Sequence, residues 1–191
     1  CGFLSKIFGS KPTENGWKEL NNLLAAAPDA LAVSADDVHH ALKKWGVKFH
    51  DDNFNQRSGI YRKLADVVFT EVQTKEDGLW AQLAHLAEIL ELPPHLAKQA
   101  DKAAKTAAYF VRCRDLLAGT EKLDIKQLND LFGYDYEDSL SMRKQVFQAH
   151  FNQKFDEISS AQRYTPEEEA ALRADCATLD IPYELKNNIV S

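Results

Sequence analysis

Four acidic residues have types and spacing that could bind a metal ion. Glu167 and Glu168 follow a Thr-Pro pair, and Asp156 and Glu157 lie on the preceding predicted helix. Carboxylate oxygens are the ligands that hard divalent cations prefer, so the four together could hold one ion. However, the first turn of a helix favours negative charge without any metal. Metal binding is therefore the alternative hypothesis, and we predict no cofactor.

No arrangement of residues in the sequence is typical of an enzyme. His39 and His40 are adjacent, so they cannot form the i, i+4 metal pair of a metalloprotease helix, and we expect both at the surface. Cys113 and Cys176 fall on apolar stripes, where a free cysteine behaves as a small buried hydrophobe, and neither has an identifiable activating base. His85 lies near an apolar stripe and is predicted to be partly buried and hydrogen-bonded. We therefore predict no enzymatic activity.

A basic stripe runs along one predicted helix, over residues 96–119. It could be a contact face for an acidic partner, nucleic acid or anionic lipid, although a solvated helix surface is the simpler explanation. The formal net charge of −6 argues against broad nucleic-acid binding, which needs many phosphate-neutralising Lys and Arg side chains. The members of the stripe are Lys98, Lys102, Lys105 and Arg112.

The beginning of the sequence, "CGFLSKIFGSKP", places apolar residues on one side of a short helix. Such a segment could lie at a membrane interface or cover a groove on its own domain. Gly2, Gly9 and Pro12 are expected to limit this helix to about two turns. The apolar residues of the segment are Phe3, Leu4, Ile7 and Phe8.

Cys1 adds a second hypothesis for the same segment. A chain beginning at Cys is consistent with a mature bacterial lipoprotein, with a cytoplasmic protein trimmed of its Met, or with an engineered junction. One acyl chain plus an apolar segment would give the two signals that stable membrane residence requires. Because no signal peptide is visible, we favour a cytoplasmic protein with membrane association, and keep the lipid-anchored lipoprotein as the alternative.

An internal repeat indicates how these residues are positioned. The segment at 163–185, "RYTPEEEAALRADCATLDIPYEL", resembles "QTKEDGLWAQLAHLAEILELPPHL" at 73–96. In both, a Thr (Thr165 or Thr74) is predicted to cap a helix with apolar residues at helical spacing. Both helices are predicted to end before a proline, which disfavours helical geometry in the residue preceding it.

The repeat continues upstream. Residues 37–47 match 124–134, with Gly46 and Gly133 predicted to end each helix in the left-handed conformation. Residues 53–69 match 142–158, with Ile60 opposite Phe151. No stretch alternates polar and β-branched residues, so no strand is predicted.

The predicted fold is therefore all-α, with two tandem units of roughly four helices produced by an internal duplication. One long continuous helix over 96–119 is predicted to join them. The predicted domains are an N-terminal apolar segment (1–16), a first unit (17–93), and the linker helix plus second unit (94–191).

The pattern "TPEEEAAL … LDIPYEL" with a preceding amphipathic helix resembles the TerB-like domain of tellurite-resistance proteins, here in tandem. The resemblance implies an all-helical domain associated with stress-response complexes, in which acidic residues are proposed to bind metal. The family's Asp-Gly pair is replaced by "TEVQ" (70–73) and "SAQR" (160–163). We therefore predict a non-enzymatic module that binds a protein partner in a stress or envelope-associated complex. The alternative is a protein of divalent-metal or tellurite stress.

Overall fold

The protein is all-helical in a computed structural model that describes the backbone of residues 2–155 and 165–183 and the side chains of 13–154 and 165–183. These ranges contain eight α-helices, two short 3-10 turns and no strand. The predicted all-α fold is confirmed. The tandem duplication, and the role of one helix in joining two copies, stay predictions.

The helices follow one another with short connections. The first four are α1 (Gly2–Ala26), α2 (Ala35–Lys43), α3 (Phe54–Glu71) and α4 (Leu79–Ile89). The next four are α5 (Pro94–Ala118), α6 (Ile125–Phe132), α7 (Tyr136–Phe155) and α8 (Pro166–Thr178). The 3-10 turns are Ala30–Ala32 and Asp51–Asn53. The chain forms two compact units, residues 1–105 and 106–191.

The first unit packs α1 against α2 and α3 against α4, and α2 also contacts α4. Leu20, Leu42 and Leu86 are almost fully buried in this core. Burying each leucine stabilises the fold by about 1.5–3 kcal/mol. A Cβ atom at Gly16 would lie 2.9 Å from Val47 Cγ2, so the close approach of α1 to the residues after α2 requires glycine here.

The second unit has an aromatic core around Tyr109. Its ring contacts those of Phe132 and Tyr134, with centroids 5.6 and 5.1 Å away. The Tyr109 hydroxyl donates to Asn129 Oδ1 at 2.5 Å, so the polar end of this buried side chain is satisfied. Helix α8 and the residue that follows it supply the apolar positions predicted from sequence, and all of them are buried: Leu172, Cys176 and Leu179.

Several predicted helix ends are confirmed. Thr165 caps α8 by accepting a hydrogen bond from the Glu168 amide, and Pro166 occupies the first helical position. Gly46 and Gly133 have φ angles of 69° and 71° in the left-handed region, as expected for residues that stop a helix.

The predicted cap at Thr74 is wrong. Helix α4 begins only at Leu79, and the Thr74 carbonyl accepts hydrogen bonds from the Asp77 amide and Trp80 Nε1 in a preceding turn. Asp77 Oδ1 accepts from the Leu79 amide at 3.1 Å, so Asp77, and not Thr74, satisfies a free N–H group at the start of α4.

The predicted end of the first helix after two turns is also wrong. Helix α1 continues through Gly9 and Pro12 to Ala26. Both residues are disfavoured inside helices, but local propensity is only one contribution to where a helix ends.

In each unit a buried arginine donates hydrogen bonds to backbone carbonyls at the end of a helix. In the first unit, Arg57 of α3 is 2% exposed. Its guanidinium lies over the rings of Phe49 and Phe54, 4.6 and 4.4 Å from their centroids. Its acceptors are Asn53 Oδ1 (2.9 Å), Leu90 O (3.1 Å), Glu91 O (3.0 Å) and His50 O (2.6 Å).

In the second unit, Arg143 of α7 is fully buried. Its guanidinium lies 4.7 Å from the ring centroid of Tyr136. Its acceptors are Ser139 Oγ (3.1 Å), Leu179 O (2.9 Å), Asp180 O and Tyr136 O (2.5 Å). The equivalent roles of Arg57 and Arg143 favour pairing Ile60 with Val146, not with Phe151. Apolar residues recur every three to four positions in a helix, so the hydrophobic pattern alone matches several registers.

Candidate functional site

The predicted metal ligands do not assemble into a site in the described residues. Glu167 and Glu168 lie in the first turn of α8, where the helix dipole favours their charge. Asp156 and Glu157 lie outside the described residues. Across residues 13–154 and 165–183, no group of three or more His, Cys, Asp or Glu side chains is arranged to hold a metal ion.

The histidines lie as predicted. His39 and His40 are exposed on α2. His85 is half-buried, and its Nε2 lies 2.7 Å from the carbonyl oxygen of Val33, which ties α4 to the segment before α2.

Both described cysteines are free and buried, as expected for small apolar side chains. Burial raises the pKa of the Cys113 thiol to about 12 and that of Cys176 to about 11. A thiol with so high a pKa carries little thiolate near neutral pH, so neither is suited to act as a nucleophile.

The basic stripe on α5 does not form one exposed surface. Lys98 and Lys102 are exposed, whereas Lys105 is half-buried, and burial lowers its pKa against the opposing field of Asp101. The inclusion of Arg112 in a partner-contact surface is wrong. Its side chain is 1% exposed, and it donates two hydrogen bonds to Glu121, at 3.0 and 2.8 Å. The spacing of the stripe is helical, but tertiary packing covers its last member.

The backbone of the N-terminal apolar segment, from Gly2 onward, forms the first part of α1. The side chains of Phe3, Leu4, Ile7 and Phe8, and the whole of Cys1, lie outside the described residues. Their contact with a partner or membrane, and the lipidation of Cys1, stay predictions.

An apolar groove lies in the first unit between α1, α3 and α4, with a volume of about 450 Å³. We call it the Val67 groove because Val67 of α3 is 46% exposed there, an unusual exposure for a valine beside a packed core. Asp29 and Lys63 add one charge of each sign to its lining. The apolar side chains on its α1 and α3 walls include Leu24, Ile60 and Leu64.

A second groove, of about 390 Å³, lies where α2 ends. We call it the Phe49 groove; its apolar lining includes Val47 and Phe49, and its ionisable residues are His39, Lys43, Lys48 and Glu91. His39 Nε2 lies 3.5 Å from Glu91 Oε2, and both side chains are more than half exposed.

Sequence reasoning missed both grooves. Ile60, Leu64 and Val67 recur at helical spacing and form one apolar stripe of α3, but that pattern does not show that the stripe is only partly covered. Ile60 is buried, Leu64 is half-buried and Val67 is exposed. A graded loss of burial along one stripe has no signature in residue types, because all three are aliphatic.

No helix in the described ranges is long and apolar enough to cross a membrane. Comparison of the chain with protein-family models, curated proteins and solved structures finds no match.

Proposed function

We propose that this chain is a non-enzymatic helical module that binds an amphipathic helix of another protein in the Val67 groove. The observation that carries the proposal is the groove itself, an apolar concavity of about 450 Å³ with a valine 46% exposed in its lining. Burial of that exposed apolar surface by a partner would be favourable.

The shape of the lining favours a helical occupant. Ile60, Leu64 and Val67 are spaced i, i+4, i+7, so they form one ridge along α3, and α1 supplies the facing wall. A groove between two helices accepts the apolar face of a third, which presents residues at the same spacing. Asp29 and Lys63 can pair with charges of either sign that flank such an apolar face.

The wider context remains part of the proposal. The spacing between the capped start of α8 at Thr165 and the Ile181-Pro182 pair after its end supports a place among TerB-like helical domains and their stress-response or envelope-associated complexes. Contact with a membrane surface through the N-terminal segment would add to, and not replace, binding in the Val67 groove.

The alternative, a divalent-metal or tellurite-stress protein using Glu167 and Glu168, has less support. The described residues contain no three-ligand cluster near this helix start, and the dipole of α8 accounts for the charges. Any metal that bound only the folded state would raise the thermal unfolding midpoint, so calcium, manganese and zinc are included in the test below.

The test compares protein capture from the native cell by three forms of the full chain. These are the unaltered protein, Val67→Asp, and Leu31→Asp as a matched control, because Leu31 is 50% exposed outside the groove. We expect a partner retained by the unaltered and Leu31→Asp forms and lost by Val67→Asp, with all three forms melting alike. If all three forms retain the same proteins, or if no captured protein depends on Val67 for its retention, the proposal fails. A raised midpoint with one of the metals would support the alternative.

A further inference from the structure

The Phe49 groove has a different chemistry from the Val67 groove, and it lies between the end of α2 and residues 46–49 of the first unit. Its floor is apolar and open. A Cβ atom added at Gly46 would meet nothing within 4 Å, and Val47 and Phe49 supply the apolar surface beside it. A single aliphatic side chain would find both space and apolar contact here.

The aromatic ring in this floor is held from other directions. Phe49 is stacked on the buried Trp17 at 8° between ring planes, and the Arg57 guanidinium lies 4.6 Å from its centroid. The His39 ring contacts it at 5.2 Å. A ring fixed by three neighbours loses little conformational freedom when a ligand binds, so the floor is preorganised.

The charges at the edge of the groove are mainly positive. Lys43 and Lys48 are exposed, and neither forms an ion pair within the described part of the chain. Neighbouring Lys44 differs, because its Nζ lies 2.9 Å from Glu19 Oε1. The one carboxylate at the groove, Glu91, already faces His39 at 3.5 Å. Two uncompensated ammonium groups beside an apolar floor therefore stand out in a chain with a net charge of −6.

We propose that the Phe49 groove binds a short acidic segment of another protein, with one apolar side chain on the Val47–Phe49 floor and carboxylates beside Lys43 and Lys48. Charge complementarity selects the acidic flanks, and the floor selects the apolar residue between them. A nucleic acid is disfavoured because two lysines neutralise few of its phosphates. The site is separate from the Val67 groove and does not depend on the function proposed for it.

The test follows backbone amide signals of the ¹⁵N-labelled full chain by NMR while blocked pentapeptides are added. The probes are Asp-Glu-Leu-Asp-Glu, the same peptide with Ser for Leu, and Lys-Lys-Leu-Lys-Lys. We expect only the first to move the amides of Gly46, Val47 and Phe49. Lys43→Glu/Lys48→Glu should weaken its binding at least about tenfold, because two exposed attractions become repulsions. The matched control Lys122→Glu/Lys126→Glu makes the same charge change at exposed lysines of the second unit and should bind as the unaltered chain does.

Four results would overturn the proposal. Equal shifts with the serine peptide would mean that the floor contributes nothing. If Lys122→Glu/Lys126→Glu weakened peptide binding as much as Lys43→Glu/Lys48→Glu does, the effect would come from the net charge of the protein alone. Shifts confined to Leu64 and Val67 would place the peptide in the other groove, which would leave the proposed function standing without this site. The absence of any shift at millimolar peptide would exclude the site.

Discussion

Arg57 in the first unit and Arg143 in the second perform the same task with different neighbours. Each guanidinium donates to an oxygen on the side chain four residues earlier and to the carbonyl seven residues earlier. Each also binds two carbonyls at the end of a later helix, where the helix dipole favours a cation. The second of those carbonyls belongs to a residue in the left-handed conformation, Glu91 (φ 50°) or Asp180 (φ 52°).

The surroundings of the two arginines differ in access to water. Asn53, the side-chain acceptor of Arg57, is half-buried and also contacts the Lys48 carbonyl and the His50 amide. Ser139, the side-chain acceptor of Arg143, is fully buried and lies 3.3 Å from Asn129 Oδ1. Burial lowers the pKa of the Arg57 guanidinium, against the opposing field of Glu91 and nearby aspartates.

The difference shows which part of the arrangement the fold requires. The backbone carbonyls at the helix end recur in both units, whereas the side-chain acceptor changes from an amide to a hydroxyl and the stacked rings change from two to one. The guanidinium fork satisfies carbonyls that a chain ending a helix would otherwise leave without donors. This shared device is consistent with the predicted duplication.

The largest expected effect comes from removing either arginine. Arg57→Ala and Arg143→Ala should each lower the free energy of unfolding by about 3–5 kcal/mol, because buried acceptors lose a charged donor. All three tryptophans lie in the first unit, so their fluorescence during urea unfolding reports on Arg57→Ala. Far-UV circular dichroism reports on Arg143→Ala.

Neighbouring basic residues provide the controls for this prediction. Arg62 is part-exposed and paired with Asp66 on α3, and Lys144 is exposed on α7. Alanine at either position should cost less than about 1 kcal/mol. If the control variants lowered the free energy of unfolding as much as Arg57→Ala and Arg143→Ala do, the buried guanidinium contacts would contribute no more than an exposed basic side chain.

A smaller effect should separate the two sites. Ser139→Ala should cost about 2 kcal/mol and Asn53→Ala about 1 kcal/mol, because water can replace a half-buried acceptor but cannot easily reach a buried one. The side chains of Asn53 and Ser139 each take part in three hydrogen bonds in the structure, so burial is the main difference between them. The reverse order in urea unfolding would therefore contradict the argument that burial decides the cost.

The smallest effect concerns the left-handed residues. Glu91→Gly should raise the free energy of unfolding by about 0.5–1 kcal/mol, because glycine adopts positive φ without steric cost but gains entropy when unfolded. Asp180→Gly should gain less, since aspartate tolerates this conformation better than glutamate does. Gly133→Ala, the control in the opposite direction, should destabilise. Thermal melting of the three variants measures all of these shifts, and a loss of stability in Glu91→Gly would contradict the argument.

Much of the local structure could be predicted from residue types. Thr165 followed by Pro166 identifies the start of α8, and Gly46 and Gly133 identify two helix ends, because capping and positive φ are properties of a few adjacent residues. Thr74 shows where such reasoning fails. The Thr74 carbonyl accepts hydrogen bonds from the Asp77 amide and from Trp80 Nε1, and these bonds form a turn before the helix. Residue types alone do not show that this turn competes with a helix beginning at Thr74.

Sequence by itself determined that the chain is all-helical, where most of its helices lie and which stripes are apolar, since these depend on spacing along one chain. Only the tertiary structure decided which members of a stripe are covered. Arg112 has the same helical spacing as Lys98 and Lys102, yet its side chain is buried in an ion pair with the carboxylate of Glu121. Val67 is spaced like Ile60, yet it stays exposed at a groove. Burial is a property of the neighbours that packing brings together, and helical periodicity does not encode them.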